Sequence, residues 1–108
     1  MLTNEDIQAM ALVVIEKFHP KQVYLFGSYA REEQSKDSDV DIMVVVDTVE
    51  DRLEMQTKIR MALIDFPVAQ DIIVVSTQEL ERYSDYSGYI CKSVLAEGRI
   101  LYDRPKAA

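Results

Sequence analysis

The sequence predicts an α/β fold: a small β-sheet of three to four strands with helices packed mainly on one side. Three observations carry this. Apolar residues recur at helical spacing over residues 7–18 and 55–66, and form short unbroken runs at 23–26, 42–46 and 72–75. Helical and strand-like segments follow one another through short connections, an order that layers helices on a sheet. The chain has 108 residues, 48% of them apolar, which suits one modest core and predicts a single domain over 1–108. The pattern alone leaves strand direction open.

Each element has its local reason. Thr3 or Asn4 can cap a first helix, with Glu5 and Asp6 at its positive end. Ile7, Met10, Ala11, Val14, Ile15 and Phe18 give it one apolar stripe, and His19-Pro20 ends it because a residue before proline disfavours helix. His19 reads as a helix-end residue. Residues 22–26 read as a strand buried on both faces. Residues 29–33 read as a short helix capped by Ser28, 34–38 as an exposed polar loop and 39–46 as the central strand. After a turn at 47–50, Met55, Ile59, Ala62, Leu63 and Phe66 form a second helical stripe, with Arg52, Glu54, Lys58 and Arg60 on its solvated side. Residues 70–75 read as a third strand. Ser76 and Glu79 have capping-box spacing, so a helix starts there; Tyr83, Tyr86 and Tyr89 follow at spacing three, then Ile90, Val94 and Leu95. Gly98 is suited to a helix end, residues 99–102 to a short edge strand, and 103–108 to a loose tail.

The chemistry concentrates in residues 23–46. An apolar strand runs into Gly27-Ser28, and the next strand opens with Asp39-Val40-Asp41. Alternate strand residues share a face, so Asp39 and Asp41 lie together and repel unless a cation sits between them. Magnesium takes carboxylate oxygens and is commonly held by one or two carboxylates plus substrate phosphates. Gly27 lacks a Cβ and lets backbone approach a ligand, and a helix start beyond it offers N–H groups to phosphate. One short region is thus suited to a triphosphate tail and its metal. Gly-Ser is also an ordinary turn and Asp-x-Asp an ordinary solvated strand start; the spacing of the two between apolar strands is what favours the site.

Gly27-Ser28, Arg31 and Ser38-Asp39-Val40-Asp41 resemble the signature of the DNA polymerase beta-like nucleotidyltransferase superfamily, in particular its minimal nucleotidyltransferase branch, whose members are antitoxin-type partners of HEPN-domain proteins. The resemblance covers most of the chain, and its specific part is roughly residues 26–46 plus one later aspartate. It implies a mixed sheet, the nucleotidyltransferase fold. It also implies attack of an acceptor hydroxyl on the α-phosphate of a nucleoside triphosphate, ATP by family habit, with two Mg2+ ions at Asp39 and Asp41. A third carboxylate on a neighbouring strand completes that pair in the family, and Asp71, in Asp-Ile-Ile-Val, matches its setting; Asp65 is the nearby rival. Asp71 would hold the nucleophile-side ion and accept the hydroxyl proton, while Gly27 and Ser28 would bind the β- and γ-phosphates. Arg31 either neutralises phosphate or pairs with a surface acid. The branch reads G-S-x-A-R-G, and this chain has Glu32 in place of the last glycine. An acid there would weaken phosphate binding unless it faces solvent.

Charge and composition bound the partners. Formal net charge is -7, with no basic run of the kind that neutralises nucleic-acid phosphates, so a duplex-gripping polymerase and stable nucleic-acid binding are disfavoured. Arg31 or Lys36 still supplies local positive charge for a nucleotide. One cysteine, Cys91, and one histidine, His19, leave no internal disulfide, cysteine zinc cluster or His-rich metal site. No apolar run approaches membrane-helix length and no secretory signal pattern is seen, which predicts a cytoplasmic protein without membrane association. The resemblance implies a HEPN-type partner that receives the nucleotide, and an acidic chain complements a basic RNA-binding partner. Tyr83, Tyr86 and Tyr89 are either an interface stripe on one helix face or ordinary core. The competing function is a non-catalytic nucleotidyltransferase-fold module that neutralises a partner by contact, favoured by Glu32 and disfavoured by the three acids. A homo-oligomer stays open.

Overall fold

The computed structural model describes residues 2–35, 38–84, 86 and 90–105; Lys36 and Tyr89 lie outside the described residues. Nine elements follow in order: α1 (Asn4–Phe18), β1 (Gln22–Phe26), α2 (Gly27–Ala30), β2 (Val40–Val46), α3 (Arg52–Ala62), β3 (Gln70–Ser76), α4 (Thr77–Tyr83), α5 (Ile90–Glu97) and β4 (Arg99–Asp103). The four strands form one mixed sheet in the order β3-β2-β1-β4. β1 is antiparallel to both β2 and β4, while β2 and β3 are parallel. That last pair is parallel because α3 carries the chain back over the sheet, the crossover parallel neighbours require. β4 closes one edge, as the apolar residues after Gly98 suggest.

The caps explain the helix boundaries. Thr3 caps α1 in a box with Asp6, Asp51 caps α3, and Ser76 caps α4 in a box with Glu79. His19 ends α1 in the left-handed conformation, at φ 50°, just before Pro20. Ser28 is no cap: α2 starts one residue earlier, Phe26 holds the cap position without a side-chain bond, and Ser28 sits inside the turn. Arg52 is not merely solvated either. Its Nε donates to the Val74 carbonyl at 3.0 Å and its guanidinium pairs with Glu79, tying α3 to β3 and α4.

Each strand feeds two unlike faces. Val40, Ile42, Val44 and Val46 of β2 join Val23 and Leu25 of β1 and Ile72 and Val74 of β3 beneath Ile7, Met10 and Val14 of α1, Ile59 of α3 and Leu63 at its C-cap. This is the larger core and lies under the two longest helices, so helices do pack mainly on one side. Met43, Val45 and Val75 face the other way, with Leu80 of α4 and Cys91 and Val94 of α5. Covered on both faces and flanked on both edges, β2 is buried along nearly its whole length. Among the described residues Tyr83 and Tyr86 do not share a helix face: α4 ends at Tyr83, and Tyr86 lies beyond it, edge-on to Tyr83 with ring centres 5.6 Å apart.

Candidate active site

The two faces put the acids in one place. Asp41 alternates with Ile42, so it points to the smaller-core face with Met43 and Val45, at the start of β2. Asp71 stands at the start of β3 and lies directly opposite Asp41 in the parallel register. On the other side of β2, Phe26 pairs with Asp41 in the antiparallel register. The chain leaves β1 at Phe26 straight into Gly27, which therefore arrives beside the Asp41 carboxylate. Asp39 precedes the strand and is exposed. Asp41 and Asp71 thus share one end of one face with Gly27 beside Asp41, Asp39 lies just before the same strand, and Asp65 lies exposed in the turn after α3.

Gly27 has a reason beyond flexibility. Its φ is 73°, and a Cβ built on it would lie 2.0 Å from Asp41 Oδ2. Any side chain there would both strain the backbone and displace the carboxylate. The turn it opens is anchored from below. Tyr29 is buried in the larger core and its hydroxyl accepts a bond from the Leu2 N–H at 3.3 Å. Because α2 is a single turn of four residues, its dipole is small, and access to the backbone at Gly27 matters more to a phosphate than the helix itself.

Electrostatics single out Asp41. Burial raises its carboxyl above the ordinary carboxylate value, the charges of Asp71 and then Asp39 push the same way, and Arg31 pulls it back. Among the described residues no three acids are gathered into a ready-made metal cluster. Asp41 and Asp71, opposite one another in register, offer hard oxygen donors of the kind a hard divalent cation takes.

Arg31 caps the end of α2 and is paired twice. Its Nε donates to Glu33 Oε2 at 3.1 Å, and its Nη1 lies 3.7 Å from Glu97 Oε2 on α5. Pairing with surface acids and proximity to the site therefore hold together. Glu32 is exposed and takes a left-handed φ of 58°. The glycine expected there is a conformational requirement: the position follows the helix end, where a left-handed residue turns the chain. Glu33 and Glu97 went unnoticed as site residues. Glu33 had only its closeness to Arg31 as a signal, and Glu97 had none.

A cavity of about 570 Å3 opens elsewhere, between α1 and α3, lined by Phe18, Asp51, Glu54, Met55 and Lys58 among others. Two of its acids are already engaged: Asp51 caps α3 and Glu54 pairs with Lys58 at 3.0 Å. The open ledge of aspartates is the better site on chemical grounds.

Similarity to known proteins identifies the family and the fold. Residues 11–107 match the family described as polymerase beta, nucleotidyltransferase. The chain is 36% identical over 83 residues to "Putative protein adenylyltransferase MJ0604" of Methanocaldococcus jannaschii, covering 76% of this chain and 78% of that protein. Among solved structures it resembles a toxin–antitoxin with AMP-PNP at a TM-score of 0.58 and 27% identity, over 90% of this chain and 73% of that one. A tri-AMPylated Shewanella oneidensis HEPN toxin in complex with its MNT antitoxin matches at a TM-score of 0.56 and 21% identity, over 94% of this chain and 74% of that chain, a likeness of fold.

Proposed function

Because the chain belongs to the polymerase beta nucleotidyltransferase family, a family that generally uses divalent metal ions, we propose that it transfers AMP from ATP to a hydroxyl of a HEPN-type partner protein and so acts as an antitoxin. The observation that carries the site is the in-register pairing of Asp41 with Asp71, closed on its other side by Gly27. Relatives named as protein adenylyltransferases and a toxin–antitoxin neighbour with AMP-PNP support the substrate and the partner. The whole of 1–108 works as one cytoplasmic nucleotidyltransferase domain.

In this reading Asp39 and Asp41 would hold two Mg2+ ions and Asp71 would complete the nucleophile side. Bound Mg2+ supplies charge stabilisation to the attacking and leaving oxygens. Asp71, which is exposed at the sheet end, would take the proton of the acceptor hydroxyl. The hydroxyl oxygen bonds to the α-phosphorus as the bond to the pyrophosphate oxygen breaks. Gly27 and Ser28 bind the β- and γ-phosphates, the glycine by letting them reach backbone. Arg31 neutralises phosphate charge. The carboxylates need no buried proton to begin: a bound cation reverses the repulsion that disfavours ionised Asp41.

Glu32 is the residue that favours the contact-only alternative; its exposed position in a left-handed turn supports the reading that its charge faces solvent. The test is to incubate the purified chain with ATP, Mg2+ and the HEPN-type protein from its native host, and to weigh the partner. A mass increase of one or more AMP groups, lost when Asp41→Asn replaces the wild type, is expected. An unmodified partner would overturn the reading.

A further inference from the structure

We propose that Glu97, together with Glu33, positions Arg31 at the mouth of the carboxylate site as a latch that the triphosphate must displace. The inference rests on the triphosphate reading above and assigns a part in it to α5.

Two backbone devices bring the acids to the guanidinium. Arg31 is fixed relative to the phosphate turn, since its N–H donates to the Gly27 carbonyl at 3.2 Å. The left-handed turn at Glu32 folds the chain back so that the Glu33 N–H donates to the Ser28 carbonyl at 2.9 Å, which sets the Glu33 carboxylate beside Arg31 Nε. From the other side, α5 ends against β1. A Cβ on Gly98 would lie 2.3 Å from the Val94 carbonyl oxygen and 3.1 Å from that of Leu25, so a glycine lets the helix end press onto the strand two residues before Gly27. Glu97, the last residue of α5, is delivered to Arg31 by that packing.

The exposures decide what the pairs do. The Arg31, Glu33 and Glu97 side chains are 42%, 67% and 60% exposed, so both pairs are largely solvated and weak. They hold the guanidinium in one orientation without binding it tightly. A triphosphate offers denser negative charge and paired oxygens to the same fork, and exchanges with the carboxylates. The two acids left without their arginine repel the arriving polyanion. The latch therefore lowers triphosphate affinity in return for a guanidinium oriented before the nucleotide arrives.

The experiment measures magnesium–ATP affinity by calorimetry for the wild type, Glu97→Gln, Arg31→Ala and the double variant, with thermal midpoints alongside. Glu97→Gln is expected to tighten binding by roughly two- to fivefold, the range of an exposed ion pair, without lowering the midpoint. Arg31→Ala should weaken binding, and Glu97→Gln should add nothing in that background. A tightening of the same size with and without Arg31 would show a general field effect and overturn the latch, as would unchanged or weaker binding by Glu97→Gln. A wild type that binds no magnesium–ATP would overturn the triphosphate reading itself, a result distinct from either.

Discussion

The two faces of the sheet are built by the same strands for different ends. On the α1 and α3 face, Val40, Ile42, Val44 and Val46 are packed into an apolar core that holds the fold together. On the α4 and α5 face, the alternating partners begin with Asp41 and only then become Met43 and Val45. A single strand thus places a costly carboxylate one residue from a fully buried isoleucine. Period-2 geometry lets stability and chemistry be separated by one residue, with the large face offsetting the repulsion tolerated on the small one.

The largest expected contrast is between neighbours. Asp41→Asn and Asp71→Asn should each cut transfer by at least about 100-fold while leaving the fold intact, because several kcal/mol of metal-derived charge stabilisation are lost and each ~1.4 kcal/mol is a factor of ten. Ile42→Ala should do the reverse, destabilising by about 2–5 kcal/mol through a cavity in the larger core while the surviving folded protein keeps its transfer chemistry. Rates with saturating substrates and denaturant melts separate the two. If Asp71→Asn transferred normally and Asp65→Asn did not, the third carboxylate would be misassigned.

Gly27→Ala joins the two effects. Its Cβ falls on the Asp41 carboxylate at a φ of 73°. Stability should drop by about 1 kcal/mol or more from the left-handed conformation, and magnesium-dependent nucleotide binding should be lost with it. A variant with wild-type binding would mean that the close approach is incidental.

A smaller effect should appear in pH. The Asp41 carboxyl is raised by burial first and by its acidic neighbours second, so the folded chain holds its proton to higher pH than the unfolded chain. In metal-free buffer, stability should therefore fall as pH climbs from the ordinary value of 3.8 through the raised value, and return on acidification across the same window. Asp41→Asn should remove that component of the slope and raise the midpoint above it. Melts in EDTA at a series of pH values check both signs.

The smallest change expected is at Glu32. Glu32→Gly should stabilise by about 0.5–1 kcal/mol by relieving a left-handed conformation, the gain reduced by the added freedom of glycine when unfolded. Nucleotide affinity should barely move, since the side chain is exposed. Marked tightening would restore the electrostatic view of this residue.

These residues also show what the sequence could reveal. Strand β1 was readable in full, because residues 22–26 are a short apolar run bounded by Pro20 and Gly27; Thr3, Ser76 and Glu79 announced their helices by capping chemistry. The mixed sheet and the three acids were accessible through resemblance to a family. The pairing of Asp41 with Asp71 was not accessible from spacing, since strand direction and register are set by the α3 crossover and not by local pattern. Ser28 misled because a good capping residue carries no mark that the turn begins one residue earlier, at a glycine with positive φ. At Glu32 the charge was legible and the left-handed backbone was not, because an acid carries no mark of its φ. The tyrosines at spacing three could not be told from a helical face until α4 was seen to stop at Tyr83.

The most direct test of the central claim, that the acid face gathers a divalent ion to hold a triphosphate, is a calorimetric ATP titration of the wild type with Mg2+ and with EDTA. Saturable binding with Mg2+ that disappears in EDTA, and is absent from Asp41→Asn under both conditions, is the predicted result. Equal binding in the two buffers, or the same binding by Asp41→Asn as by the wild type, would contradict it.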